Sequence, residues 1–323
     1  FRRVLFRSSK RLRVGARVGA TYSLNDRIVG DQTINGVLPN AISKPPVYAV
    51  RDSLGNYLEE GFWDNPVAIG SEVTNRATTF RNLSNFFVEY DILPGLKFNN
   101  KWGVDYYNLL ERRYEPTTVD RGAESNGIGI SARSTVLKIT QQSTLKYIKS
   151  FGLHSFNVLA GYSFETWDER FNRIRGNNFP SDELEYLTSA GNIESASSSA
   201  YQAGLQSFFG RVKYNYDDKY LLSASVRQDG SSNFSEENRY AVLPSVSVAY
   251  RVGEENFIQG IGFISELKLK ASYGLTGNDK IGAFRARNLY SSGYNYYGGS
   301  GIVPTQIPNQ DIKWETTPNL TTG

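Results

Sequence analysis

Apolar and polar side chains alternate with a period of two along most of this chain, and that one feature leaves few folds open. In YLLSASVRQ, Tyr220, Leu222, Ala224 and Val226 share one face, while Leu221, Ser223, Ser225 and Arg227 share the other. SVSVAYRV sets Val246, Val248, Tyr250 and Val252 against Ser245, Ser247, Ala249 and Arg251. LKLKASYG sets Leu267, Leu269, Ala271 and Tyr273 against Lys268, Lys270, Ser272 and Gly274. Upstream, Phe156, Val158, Ala160, Tyr162 and Phe164 oppose Asn157, Gly161, Ser163 and Glu165, and similar patterns surround residues 86–91, 97–106, 137–147 and 211–216. Adding one segment near 11–22 and a weaker one at the C-terminal end gives about ten strands. No segment of comparable length carries the 3.6-residue period of a helix. The chain is all-β.

The connections alternate as well. Tight ones carry turn residues: LPG at 93–95, SFGLH at 150–154 and DD at 217–218. Long polar ones lie between them, at roughly 26–79, 111–134, 168–203 and 276–312, with a shorter one at 229–239. Short turns at one end and long loops at the other describe an antiparallel up-and-down transmembrane β-barrel with an apolar outer band, aromatic girdles and a polar lumen. A soluble β-sandwich or barrel is the alternative, with strands averaging about five or six residues. The length of the alternating runs, and the Tyr clustered at strand ends as in YNYDDKY, favour the membrane barrel.

Composition removes other classes. The chain has no Cys, so disulfides, thiolate metal sites and thiol nucleophiles are excluded. His154 is the only His, leaving at most one imidazole for a catalytic triad, and it has no spaced Ser and Asp partners. Beside its tight turn it reads as a solvated residue. No stretch approaches the ~18 consecutive apolar residues of a membrane helix, whereas a membrane strand needs only about 9–11. No enzyme, metal site or cofactor is expected.

The chain opens on FRRVLFRS without Met, and the apolar core of a secretory signal does not follow. The codons TTC AGA CGT GTG CTC TTC CGA TCT, the end of a common sequencing-adapter oligonucleotide, translate to these residues. Residues 1–8 are therefore expected to be an assembly artefact, and residues 9–323 the natural sequence. Without Arg2, Arg3 and Arg7, the 36 basic against 32 acidic residues become 33 against 32, so the basicity gives no reason to expect a nucleic-acid partner. The missing start and the plain ending NLTTG are expected of an internal piece of something longer.

Two Gly-containing stretches invite a ligand reading. RQDGSSNF places Asp229, Ser231 and Ser232 as oxygen ligands beside Gly230, but the further acidic positions of a calcium loop are missing. It reads as a turn with Gly230 at positive φ. GLTGNDK lacks the Gly-Lys-Ser/Thr ending of a phosphate loop.

The second half also carries linked motifs. SFFGRVKYNYDDKYLLSASVRQDGSSNF (207–234), LPSVSVAYRVGEENF (243–257), LKLKASYGLTGNDKIG (267–282) and DIKWETT (311–317) resemble, in order and spacing, the SusC/RagA family of TonB-linked outer-membrane transporters. VEYDILPGLKFNNKWGVDY (88–106) and NPVAI (65–69) fit the same family, so the resemblance covers residues 9–323. It implies a barrel of about 22 strands plugged by an N-terminal domain, in the Gram-negative outer membrane of Bacteroidota. The sequence would then supply less than half of it, open, with the plug and the C-terminal closing strands absent. It implies import of glycans or peptides with a SusD-like lipoprotein, driven by the TonB–ExbB–ExbD complex through the missing N-terminal part. The alternative function is a structural or adhesive outer-membrane barrel without active transport.

For ligand contact the sequence offers LYSSGYNYYGGSG, with Tyr290, Tyr294, Tyr296 and Tyr297 among Gly and Ser in a long loop. Tyr gives wide contact area at low rotamer cost, and small polar neighbours let the backbone adapt. The same residues would also serve as packing against other loops or a lipoprotein, or as part of the outer girdle.

Overall fold

The computed structural model describes residues 2–7 (backbone alone), 9–28, 36–58, 63–259, 266–282 and 284–323. Phe1 and Ser8, the ends of the opening octapeptide, and parts of the connections expected at 26–79 and 276–312 lie outside the described residues. Ten strands run from β1 (Arg2–Arg7) through β2 (Leu12–Asp26), β3 (Thr74–Leu93), β4 (Leu96–Glu115), β5 (Ile128–Phe151), β6 (His154–Asn177), β7 (Asn192–Tyr216), β8 (Tyr220–Ser231), β9 (Tyr240–Tyr250) and β10 (Leu269–Asn278). A hairpin of β11 (Leu289–Tyr296) and β12 (Gly299–Gln306) follows, and then β13 (Glu315–Thr322). Sequence neighbours pair antiparallel from β1 to β10, and β13 joins beside β10, giving one 11-stranded sheet among the described residues. Its outer strands β1 and β13 do not pair with each other, so the sheet is open.

Register sorts the alternating side chains onto two continuous faces. Val248 lies opposite Leu222 and Ala271, while Ser247 lies opposite Ser223 and Ser272. The apolar face is uncovered, with Val248 50% and Leu269 56% exposed. Apolar side chains on this scale are left bare only where something other than water meets them. At the tight-turn end that face ends in aromatics: Tyr220 and Tyr250 stack at 5.0 Å, and Phe156 sits 4.8 Å from Tyr214. His154 belongs to this group rather than to solvent. Its ring stacks on Phe151 at 5.4 Å and its Nδ1 lies 2.8 Å from the Tyr214 hydroxyl. The turn reading failed because residue 154 is already the first of β6 and faces aromatics on the next strand.

The apolar face carries a polar island that the alternation did not reveal. The Asn100 amide donates to Ser143 Oγ at 2.8 Å and the Gln141 amide to the same oxygen at 2.6 Å. Trp102 and Phe164, on either side of Gln141 in the register, meet edge to face at 5.6 Å.

The tight turns follow their residues. Gly95 follows Pro94 with φ +83°, and Asp217 and Asp218 both hold positive φ (52° and 50°), as a type I′ turn requires. One connection breaks the rule of short turns at this end, 251–268, which contains a short 3-10 segment and a helix at Asn256–Gln259. Glu255 anchors it, accepting from the Tyr250 hydroxyl at 3.0 Å and facing Lys219 at 3.4 Å. The Tyr250 hydrogen bond holds the Glu255 carboxyl below the ordinary carboxylate range.

The long loops are shorter than expected because the strands continue into them. β3 and β4 have 20 residues each, β5 and β6 have 24 and β7 has 25, against the ~9–11 a membrane crossing needs. Most fully buried apolar side chains sit at this far end: Ala68, Ile69, Ala77, Tyr114, Val119, Ile128 and Phe179. The strand Arg2–Arg7 pairs with β2 from Arg2↔Val18 to Arg7↔Arg13. An exposed edge offers unpaired N–H and C=O groups to any extended segment tethered beside it, so this pairing is silent on the octapeptide's origin.

Candidate functional site

The polar face is held by cross-strand ion pairs. Arg13 meets Glu89 at 3.0 Å, Arg81 meets Asp105 at 2.7 Å, and Lys138 meets Glu165 at 2.9 Å while lying 4.8 Å from the Trp167 ring. Arg227 is the most connected: it reaches Asp229 at 2.6 Å, donates to Ser207 Oγ at 2.7 Å and lies 5.4 Å from the Phe209 ring. These partners correct the reading of RQDGSSNF as a turn. Asp229 and Gly230 are inside β8, and Gly230 is not at positive φ. Gly stands there because the Tyr240 ring lies over it, where a Cβ would come within 2.4 Å of a ring carbon.

Above the sheet the long loops are built, not loose. The helix α1 (Pro66–Glu72) starts with Asn65 as N-cap, its side chain accepting from the amides of Val67 and Ala68, and with Pro66 in the first turn. The same amide group donates to the carbonyls of Val50 at 2.8 Å and Leu58 at 3.1 Å, tying three loop segments together. Asn65→Ala should cost this unit about 1 kcal/mol or more. Hydrogen exchange at the Val67 and Ala68 amides reads the effect, with faster exchange expected and an unchanged rate contradicting the cap. Next to α1, burial raises the Asp64 carboxyl pKa, and the nearby Asp120 charge adds to the shift.

A second unit joins the β4–β5 and β6–β7 loops. Tyr114 donates to Asp182 at 2.8 Å, the Thr117 amide donates to the same carboxylate, and the Phe179 ring meets Tyr114 edge to face at 5.1 Å. Beneath it, buried Glu115 faces Arg113 at 2.7 Å and Arg121 at 3.6 Å. A third contact stacks Trp314 on Phe234 at 5.3 Å, with the indole N–H donating to the Arg239 carbonyl at 2.9 Å.

The four tyrosines sit on β11 and its turn rather than in an irregular loop. The connection Tyr297–Gly298 has positive φ at both positions, 49° and 83°, and the Asn295 side chain accepts from the Gly298 amide at 2.7 Å. Tyr294 pairs with Gly301, Tyr296 with Gly299 and Tyr290 with Pro304. Positions 299 and 301 share a face and 304 lies on the other, so Tyr294 and Tyr296 are together while Tyr290 points away from them. Tyr297 projects from the tip, 98% exposed, with its ring 5.2 Å from Tyr296. Tyr294, Tyr296 and Tyr297 thus form an outward aromatic edge flanked by glycine. The Asn65 cap was readable from Asn-Pro before a helix, whereas no local signal marks Asp182, whose partners are 65 and 68 residues away.

Comparison with known proteins matches residues 13–323 to the family described as TonB dependent receptor-like, beta-barrel. TonB-dependent receptor P3 of Formosa agariphila is 31% identical over 98% of this chain, which spans 33% of that relative. TonB-dependent receptor SusC of Bacteroides thetaiotaomicron is 27% identical over 80% of the chain, spanning 26% of its length. Among solved structures, the RagAB peptide transporter superposes with a TM-score of 0.85 at 21% identity, covering 98% of this chain and 37% of that one. The chain therefore spans about a third of the length of the curated relatives it matches.

Proposed function

This chain belongs to the TonB-dependent receptor-like β-barrel family, and from that premise we propose that it is wall and loop structure of an importer for oligosaccharides or other large nutrients. It is part of an outer-membrane β-barrel, with the apolar face toward lipid and the polar face toward the lumen. In our reading a SusD-like surface lipoprotein covers the long-loop end. The TonB–ExbB–ExbD complex supplies energy through a plug carried by the parent protein. Cargo is captured among the loops and leaves through the lumen, and no catalytic step is assigned. The observation that supports this most is the match of residues 13–323 to the TonB dependent receptor-like barrel, together with a SusC relative 27% identical over 80% of the chain. Residues 1–8 are taken as adapter-derived, in keeping with a family match that begins at residue 13.

Recovering the upstream reading frame tests the reading. A plug domain with a TonB-contacting stretch is expected, and its absence would favour a structural or adhesive barrel. Tyr294, Tyr296 and Tyr297 are proposed as cargo contacts, their rings stacking on the C–H faces of sugars. Replacing all three by Ala in the parent protein should lower cargo capture several-fold without changing the amount of folded barrel. Unchanged binding and uptake would confine them to packing.

A further inference from the structure

The lumenal face is strongly positive at its tight-turn end, although the chain as a whole carries only +4. From the level of Lys270 up to that of Lys101, the strand positions on this face carry eight basic side chains against three acidic ones. Each of the three acids is already paired: Glu89 with Arg13 at 3.0 Å, Asp91 with Lys97 at 3.4 Å and Asp229 with Arg227 at 2.6 Å. Lys101, Lys146, Arg211, Lys213 and Lys270 remain without an ion pair among the described residues.

Their placement costs the sheet. Lys97 lies directly opposite Lys146, a like-charge cross-strand pair, and Arg211 stands level with both, across Leu159. Among the described residues Asp91 meets Lys97 alone, and no carboxylate pairs with Lys146 or Arg211. The side chains between the cations are small and hydroxylated, among them Ser223, Ser225, Ser245 and Ser247, and they leave the charged ends open. Beside Lys101 an open cavity of about 390 Å³ is lined by Phe87, Gln142, Ser207 and Arg227 among others. Surfaces sealed against another protein are poor in Lys and Ser, so this patch has the composition of a wet binding surface. Low-dielectric barrel walls focus its field into the lumen.

We propose that this patch binds a soluble polyanion bearing several carboxylate or sulfate groups, such as an acidic oligosaccharide, as it passes through the lumen. The proposal deepens, and rests on, the importer reading. The cations meet the acidic groups, the serines meet hydroxyls, and the Phe87 and Phe209 rings offer apolar contact.

The test uses the purified parent barrel with oligogalacturonate as probe and a neutral oligosaccharide of equal length as control. Equilibrium binding is measured at about 0.1 M and about 1 M salt, where the screening length falls from ~10 Å to ~3 Å. Oligogalacturonate should bind, and the Lys101→Gln, Lys146→Gln, Lys213→Gln triple variant and the higher salt should each weaken it by about tenfold or more. The corresponding triple Arg variant should retain binding, and the control should not respond to charge. Three outcomes overturn the proposal: no oligogalacturonate binding, binding indifferent to the Gln changes, or loss of the folded, heat-modifiable barrel in the Gln but not the Arg variant. The last would make the patch a clamp on an acidic protein segment. Cellular uptake is scored separately. Binding that follows this pattern without import would sink the importer reading and leave the patch.

Discussion

Arginine in place of Val246 should nearly abolish assembly of the barrel, at a cost of about 2–4 kcal/mol near the bilayer midplane. Val246 lies opposite Ala224 and Tyr273 on the apolar face, two rows in from the stacked Tyr220 and Tyr250. The cost depends on depth, falling to about 0–1 kcal/mol at the interface. Val248→Arg should therefore be milder than Val246→Arg, and Leu269→Arg, level with Tyr250, milder still. Ser247→Arg, at intermediate depth on the lumenal face opposite Ser223 and Ser272, should assemble well. Heat-modifiable folded protein in outer-membrane fractions provides the readout. Equal tolerance of Arg at Val246 and Ser247 would contradict the assignment of faces.

The second large effect is expected when this chain is expressed alone. Without residues 1–8 its sheet ends in two unpaired edges, β2 and β13. In lipid each unpaired edge N–H and C=O costs several kcal/mol, which is why membrane sheets close. In water the same edges, beside a bare apolar face, recruit other chains. Residues 9–323 by themselves should pellet as aggregate or be degraded. A soluble, monodisperse monomer with a cooperative melting transition would contradict the membrane reading and restore a soluble sheet.

The face pattern was legible because segments such as Leu222, Ala224 and Val226 keep one side apolar. The far halves of the strands were not legible. In β7 the stretch Asn192–Ala200 is rich in Ser on both faces and reads as loop, yet it pairs residue by residue with β6 up to the bulge at Arg175. There the neighbouring strand, rather than local propensity, decides the structure. The β11–β12 hairpin was hidden for a related reason. Two bulges and Pro304 break its alternation, so only the cluster of Tyr stood out. Gly230 misled in the opposite direction: a Gly flanked by Asp and Ser has turn composition, but its role is to make room for the Tyr240 ring. The row of lumenal cations needed the register, since Lys97, Lys146 and Arg211 are scattered in sequence and become one row only when β4 to β7 are aligned.

These 323 residues contain no Cys, so once any Cys elsewhere in the parent protein is replaced, single cysteines placed here report which side chains meet water and which meet lipid. The most direct test places them one at a time from residue 241 to 249 and from 221 to 227 in the parent protein, in native outer membranes. Each is then treated with a small charged maleimide. The account predicts labelling at Ser223, Ser225, Ser245 and Ser247, and protection at Leu222, Ala224, Val246 and Val248. Labelling that ignores the two-residue period, or protection of the serine positions with labelling of Val246 and Val248, would contradict it.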